Sequence, residues 1–271
     1  MVRSLYTAAT GMRAQQSNVD NISNNLSNVN TVGYKSQKTE FKSLLYQTIQ
    51  TRTTSANGEQ KPISAQVGLG TRVASNTSIF TQGALTASES TSDFAIDGNG
   101  FFAVRGADGQ TYYTRNGSFN WAVGVNGLTL TNSEGYPVLD TNGNPIVLPA
   151  GITSGNATVT ERGEVGYMTA EGEFVSLNQT MGVFQFNNPG GLEKQAGTLF
   201  AVTEASGPAL NEATVAGLIP SKVVQGYLEG SNVQVADEMV NLIVAQRAYQ
   251  LNSKAITTSD EMLEQANNLR R

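Results

Sequence analysis

The sequence predicts an α+β protein in which long N- and C-terminal helices pair in a coiled-coil-like domain around a central antiparallel all-β domain. Three observations predict it. Leu5, Met12, Val19 and Leu26 recur every seven residues, with Ala8, Ile22 and Val29 three residues further on. Val235, Leu242, Tyr249, Ile256 and Leu263 repeat that spacing near the other end, flanked by Met239 and Ala245. Between them, short β-favouring runs alternate with Gly, Asn and Asp turns at intervals of about 8 to 12 residues. The expected division is a helical assembly domain from residues 1–30 and 231–271, a linker with a hairpin-like insertion at 31–67, and a β domain at 68–230.

The first helix is expected from Ser4 to Val29. Its polar face carries Gln15, Gln16, Ser17, Asn18, Asn21, Ser23, Asn24, Asn25, Ser27 and Asn28, with scarcely a charge. Asn and Ser compete with the backbone for hydrogen bonds and are weak helix formers, so the helix needs tertiary support. A solvated face usually favours Lys and Glu, so this one is expected to pack against neighbours, each buried amide finding a partner. Gly33 then supplies a turn or left-handed position. Residues 34–47 fit a short helix or a strand.

Residues 48–64, TIQTRTTSANGEQKPIS, fit either an open loop or a hairpin closed at Asn57-Gly58, the strongest short hairpin dipeptide. Beyond them, Asp97-Gly98-Asn99-Gly100, Asp108-Gly109, Asn116-Gly117, Asn126-Gly127 and Asn142-Gly143 mark turns between strands. An antiparallel sandwich or barrel is expected. The run Gln225-Gly226-Tyr227-Leu228-Glu229-Gly230 leads into the second helix. Ser231 with Gln234 has the form of a capping box, and Asp237 and Glu238 suit an early turn. This helix has room to reach Leu269, with Arg270 and Arg271 where its dipole favours cations.

Composition excludes several functions. The 271 residues carry 17 Lys and Arg against 22 Asp and Glu, a net charge of −5 without a basic cluster, which argues against a nucleic-acid partner. There is no Cys and no His, so thiolate chemistry and the commonest general base and transition-metal ligand are missing. No apolar run approaches the roughly 20 residues of a membrane span, so membrane insertion is not expected. Arg13 and Asp20 interrupt any secretory signal core near the start, so no cleaved signal peptide is expected.

Scattered carboxylates do not form a site. Asp237-Glu238 and Asp260-Glu261 fall on helix surfaces, and Asp97, Asp108, Asp140 and Asn142 fall in turns where such residues are common anyway. GLGTRV and DGNGFF lack phosphate-loop spacing, and no calcium-loop pattern is present. No catalytic, cofactor-binding or metal-binding residues are expected. The competing class is a carbohydrate-binding or carbohydrate-active β protein, since two carboxylates on a β scaffold are enough for a glycosidase.

Residues 4–37, with the core Asn24-Asn25-Leu26-Ser27-Asn28-Val29-Asn30-Thr31-Val32-Gly33-Tyr34-Lys35, resemble the N-terminal signature of the bacterial flagellar rod and hook proteins. Residues 231–263 resemble the C-terminal signature of that family, and DFAIDGNGFFAV at 93–104 and YTRNGSF at 113–119 resemble its β domain. FKSLLYQTIQ at 41–50 and the polar segment after it resemble the insertion that marks the distal-rod branch; a proximal rod or hook subunit is the alternative. Gln234 and Asn267-Asn268 depart from the usual pattern.

The resemblance implies a helical homopolymer, a rigid tube around an export channel, in the cell envelope. It also implies export by the flagellar type III pathway, with proximal rod proteins and the hook protein at its ends and ring proteins around it. Leu5, Met12, Val19, Ile22, Asn25, Leu26, Val29, Val235, Met239, Leu242, Tyr249, Ile256 and Leu263 are then the expected assembly interface. Thr48, Ile49, Thr51, Asn57, Gly58 and Pro62 are the expected stiffening insertion.

Overall fold

Among the described residues, two long helices at the ends enclose twenty short strands, the order the periodicities require. The computed structural model describes residues 2–50, 65–124, 127–149, 151–169, 172–215 and 217–268. Helix α1 spans Val2–Ser27, and α2 spans Val235–Asn268. After α1 come β1 (Gln37–Ser43), β2 (Tyr46–Gln50), β3 (Ala65–Gly68), β4 (Thr71–Ser78) and β5 (Leu85–Ala87). Then follow β6 (Phe94–Asp97), β7 (Phe101–Arg105), β8 (Thr111–Thr114), β9 (Asn120–Gly124) and β10 (Gly127–Thr131). The next five are β11 (Val147–Leu148), β12 (Ala157–Val159), β13 (Glu164–Met168), β14 (Phe174–Thr180) and β15 (Val183–Gln185). The last are β16 (Glu193–Lys194), β17 (Leu199–Ala201), β18 (Leu210–Asn211), β19 (Lys222–Gln225) and β20 (Tyr227–Glu229). The class is therefore α+β.

The chain forms two compact units. One comprises Met1–Ser27, Gln37–Thr77 and Gln234–Arg271; the other comprises Asn28–Ser36 and Ser78–Val233.

Residues 34–47 fit a helix or a strand by sequence, and strand is the outcome: β1 lies within them and β2 begins in them, both in the helical unit. β2 pairs antiparallel with β3, Tyr46 opposite Gly68 and Gln50 opposite Ala65. The expected Asn57-Gly58 closure lies outside the described residues, as do Arg270 and Arg271. α2 starts at Val235, with the Gln234 carbonyl accepting the Glu238 N–H at 3.0 Å. The Ser231 capping box therefore does not form: the Ser231 hydroxyl accepts from Val233 instead, one turn too early to serve the helix.

In the β unit, every strand pairing with a defined register is antiparallel. The largest sheet has six strands in the order β16-β17-β8-β7-β15-β18, accompanied by smaller sheets of two and three strands. β7 lies inside the largest sheet and is covered on both faces, which is why its sequence, FFAVR, does not alternate. Phe102 and Val104 join Phe94, Phe119, Leu130 and Ile146 in one core, while Phe101 and Ala103 join Tyr113, Phe186 and Phe200 in the other. Edge-to-face pairs such as Tyr113–Phe186, at 4.9 Å between ring centroids, fill the second core.

The acidic turn residues serve the backbone. Asp140 Oδ1 accepts the N–H groups of Asn142 and Asn144, and Asp108 accepts from the Gln110 N–H and the Tyr112 hydroxyl. Gly33, whose φ is +68°, turns the chain after α1 against Arg115–Asn116; a Cβ there would stand 2.4 Å from the Asn116 nitrogen.

Candidate assembly surface

Within the helical unit, α1 and α2 meet in antiparallel order. Ser4 Oγ lies 3.3 Å from Ser259 Oγ, and Asn25 Nδ2 donates to Glu238 Oε1 at 3.1 Å. Between these contacts, a Cβ added at Gly11 would stand 2.9 Å from Asn252 Nδ2. Positions 4, 11 and 25 of α1 thus face 259, 252 and 238 of α2, and steps of seven or fourteen forward are matched by equal steps back. Ala245, which falls in the same series, is buried. This line of contacts is largely polar; on α1 it runs one residue ahead of the expected apolar series, and on α2 three residues after it. Ser4, Gly11, Ala245 and Ser259 contribute small side chains to this seam, beside the larger Asn25, Glu238 and Asn252.

The expected interface residues divide accordingly. Ile22 and Asn25 are buried, and Leu5, Met12, Val19, Leu26, Leu242, Ile256 and Leu263 are half-buried. Val235, Met239 and Tyr249 are exposed. Val29 is half-buried and belongs to the β unit. Thr48 and Ile49 lie exposed on β2, whereas Thr51, Asn57, Gly58 and Pro62 lie outside the described residues.

Part of the polar face of α1 is used within the subunit. Asn25 accepts the Gln37 N–H at 2.9 Å and donates to the Gln37 carbonyl at 2.8 Å, so one side chain satisfies both backbone groups at the start of β1. Asn21 donates to Thr39 Oγ1 at 2.8 Å. Glu238, beside Asn25, has its carboxyl pushed above the ordinary range, chiefly by burial, while the Asn25 hydrogen bond opposes the shift. Gln16, Ser23, Asn24 and Ser27 remain exposed.

α2 differs from α1 in what it leaves uncovered. The run Met239-Val240-Asn241-Leu242-Ile243-Val244-Ala245 is apolar around nearly the whole helix circumference. Leu242 and Ala245 turn inward, but Val240, Ile243 and Val244 are 60, 56 and 62% exposed, and Leu251, two turns beyond Val244, is 68% exposed. A helix apolar all round is ordinarily a buried helix, and this one is uncovered in the single chain. The sequence carried this signal, six apolar residues in seven, but reading α2 as a single stripe concealed it. Beside the seam, Gln16, Val19, Gln246, Tyr249 and Gln250 line a shallow groove of about 360 Å³.

Glu161 and Glu212 of the β unit are committed to structural contacts. In the β unit a cavity of about 660 Å³ is lined by Glu161, Glu164 and Glu212, among others. Glu212 accepts from Gln185 and from the Ser221 N–H and hydroxyl, and Glu161 pairs with Lys222 at 3.0 Å on the exposed surface. Among the described residues, no three acidic, His or Cys side chains are grouped to hold a metal ion, and no helix is long and apolar enough to cross a membrane.

Three family models match the chain: flagella basal body rod protein at residues 5–35, flagellar hook protein FlgE/F/G D1 domain at 95–167, and flagellar basal body rod FlgEFG protein C-terminal at 224–269. The chain is 43% identical to flagellar basal-body rod protein FlgG of Borreliella burgdorferi, with all of both chains covered. It is 40% identical to the protein of that name from Buchnera aphidicola, over 99% of this chain and all of the relative. It is 38% identical to that of Bacillus subtilis, again with both chains covered in full. The helix pair, the β unit and the matches at both ends and the middle agree: the chain belongs to the flagellar basal-body rod protein family, as a structural subunit rather than an enzyme.

Proposed function

We propose that the chain is a subunit of the distal rod and polymerises into a rigid helical tube that transmits torque around an export channel. The observation that carries this reading is the uncovered apolar circumference of α2 from Met239 to Ala245, with the exposed Leu251 beyond it. Fully burying each such side chain contributes about 1.5–3 kcal/mol, so neighbouring copies that cover it gain a contact repeated along the whole polymer. The α1–α2 pair, with its heptad-spaced seam, acts as a coiled-coil-like element, and residues 1–30 with 231–271 form the assembly domain. The half-buried Leu5, Met12, Val19 and Leu26 complete the surface beside the exposed Val235, Met239 and Tyr249.

Residues 48–66 stiffen the tube. What supports this reading is the antiparallel β2–β3 pairing at the described ends of the insertion, Gln50 opposite Ala65. Proximal rod proteins and the hook protein are the partners at the two ends, with ring proteins around the periplasmic length. The subunit reaches that site through the flagellar type III pathway.

Electron cryomicroscopy of the concentrated full-length protein tests the reading. Tubes are expected, and dispersed particles at all concentrations contradict it. Deleting residues 51–64 is expected to leave tubes of shorter persistence length; unchanged stiffness refutes the role of the insertion.

A further inference from the structure

Three segments singled out in the sequence, Gly33-Tyr34-Lys35, Arg115 in YTRNGSF and Glu229 in QGYLEG, meet at one buried cluster in the β unit. The Lys35 and Glu229 side chains are 0% exposed and that of Arg115 is 2% exposed. Lys35 Nζ donates to Glu229 Oε1 at 2.6 Å and to the Thr81 carbonyl at 2.8 Å. The Gly83 N–H also donates to Glu229 Oε1, at 2.9 Å, and Arg115 Nη1 donates to Glu229 Oε2 at 3.2 Å. Arg115 Nη2 reaches the Gly98 carbonyl, and its guanidinium lies 5.1 Å from the centre of the Phe101 ring.

We propose that Glu229 is the positioning residue of the rod subunit, one carboxylate that fixes both the segment leading into the β unit, residues 28–36, and the segment leading out of it, residues 227–233. The backbone runs the same way as the side chains. The Gly33 N–H donates to the Glu229 carbonyl at 2.8 Å, and Gly230 donates to Ala84 at 2.8 Å. Asn232 Oδ1 accepts the Ser36 N–H at 2.7 Å. Tyr34 is buried, with Lys194 Nζ 4.0 Å from its ring centre.

Two buried cations share one carboxylate, so the acid is the member whose loss leaves the others uncompensated. Burial pulls Lys35 and Arg115 below their ordinary values, and Glu229 is the chief opposing influence on both. A surface pair such as Lys222–Glu161 fixes little by comparison. Fixed in this way, both segments are parts of the β unit and carry load with it; they are not loose tethers. That consequence rests on the proposed rod function, whereas the local arrangement does not.

Hydrogen–deuterium exchange of the full-length chain, held below its polymerising concentration, tests the proposal separately from tube formation. In the wild type, the amides of Gly33, Ser36 and Gly230 should exchange as slowly as those of Ala103 and Leu139 in the β core. Glu229→Gln should speed exchange in both segments by about 100-fold while the core changes little. Lys35→Met should loosen residues 31–36 alone, because Glu229 keeps Arg115 and the Gly83 N–H. Lys222→Gln, the control, should change neither segment. The proposal is overturned if Glu229→Gln leaves either segment protected or loosens the core equally. It is also overturned if Lys35→Met releases both segments, a result that stands even if Glu229→Gln fails to fold.

Discussion

Asn25 shows how a single side chain connects the elements of the helical unit. Its amide serves the backbone of Gln37 in both directions and reaches Glu238 on α2, so α1, β1 and α2 depend on it together. Sequence reading identifies Asn25 as part of a weakly helical polar face but does not show that the face turns inward, because its partner groups are backbone atoms twelve residues away. Gly33 was legible, since a turn there needs a left-handed residue. The Lys35–Glu229 pair was not legible, because its members are 194 residues apart and meet only through the path of the chain.

Glu238 provides a test at this scale. Its carboxyl is pushed above the ordinary 4.5, so the folded unit holds that proton more tightly than the unfolded chain does. The associated stabilisation is fully present below pH 4.5 and is lost as pH rises through the raised value. Glu238→Gln, which keeps an acceptor for Asn25, should remove that part of the pH dependence. Thermal unfolding followed by helix circular dichroism from pH 4.5 upward would show it, and an unchanged profile would count against the assignment.

The helices and the strands between residues 94 and 148 could be read from periodicity and turn residues, but the phase of the helix seam could not. Heptads of Leu, Met and Val direct attention to large side chains, whereas the closest approach uses Ser4, Gly11, Ser259 and Ala245, which only the second helix's position selects. β2 pairs with β3 at the described ends of the insertion, while the choice between loop and hairpin at Asn57-Gly58 falls outside the described residues. Gly11→Leu tests the seam. A side chain placed where a Cβ already falls 2.9 Å from Asn252 should force the helices apart. The expected cost is about 1–3 kcal/mol, read as a lower unfolding midpoint of the helical signal with the β unit unchanged. A midpoint equal to that of the wild type would place the seam elsewhere.

For the whole molecule, the two units divide the work. The β unit closes its own cores, with both faces of β7 covered and its turns satisfied internally. The helical unit does not: α1 exposes one large apolar side chain among its described residues, Tyr6, whereas α2 exposes a sequence of them from Val235 to Leu251. The β unit also exposes single apolar side chains such as Val123 and Ile219, but an apolar helix face left uncovered on α2 suits a subunit completed by its neighbours. The most direct measurement is electron cryomicroscopy of the concentrated Ile243→Asp/Val244→Asp variant beside the wild type. The account predicts tubes from the wild type and only monomers with an intact β unit from the variant; normal tubes from the variant would contradict it.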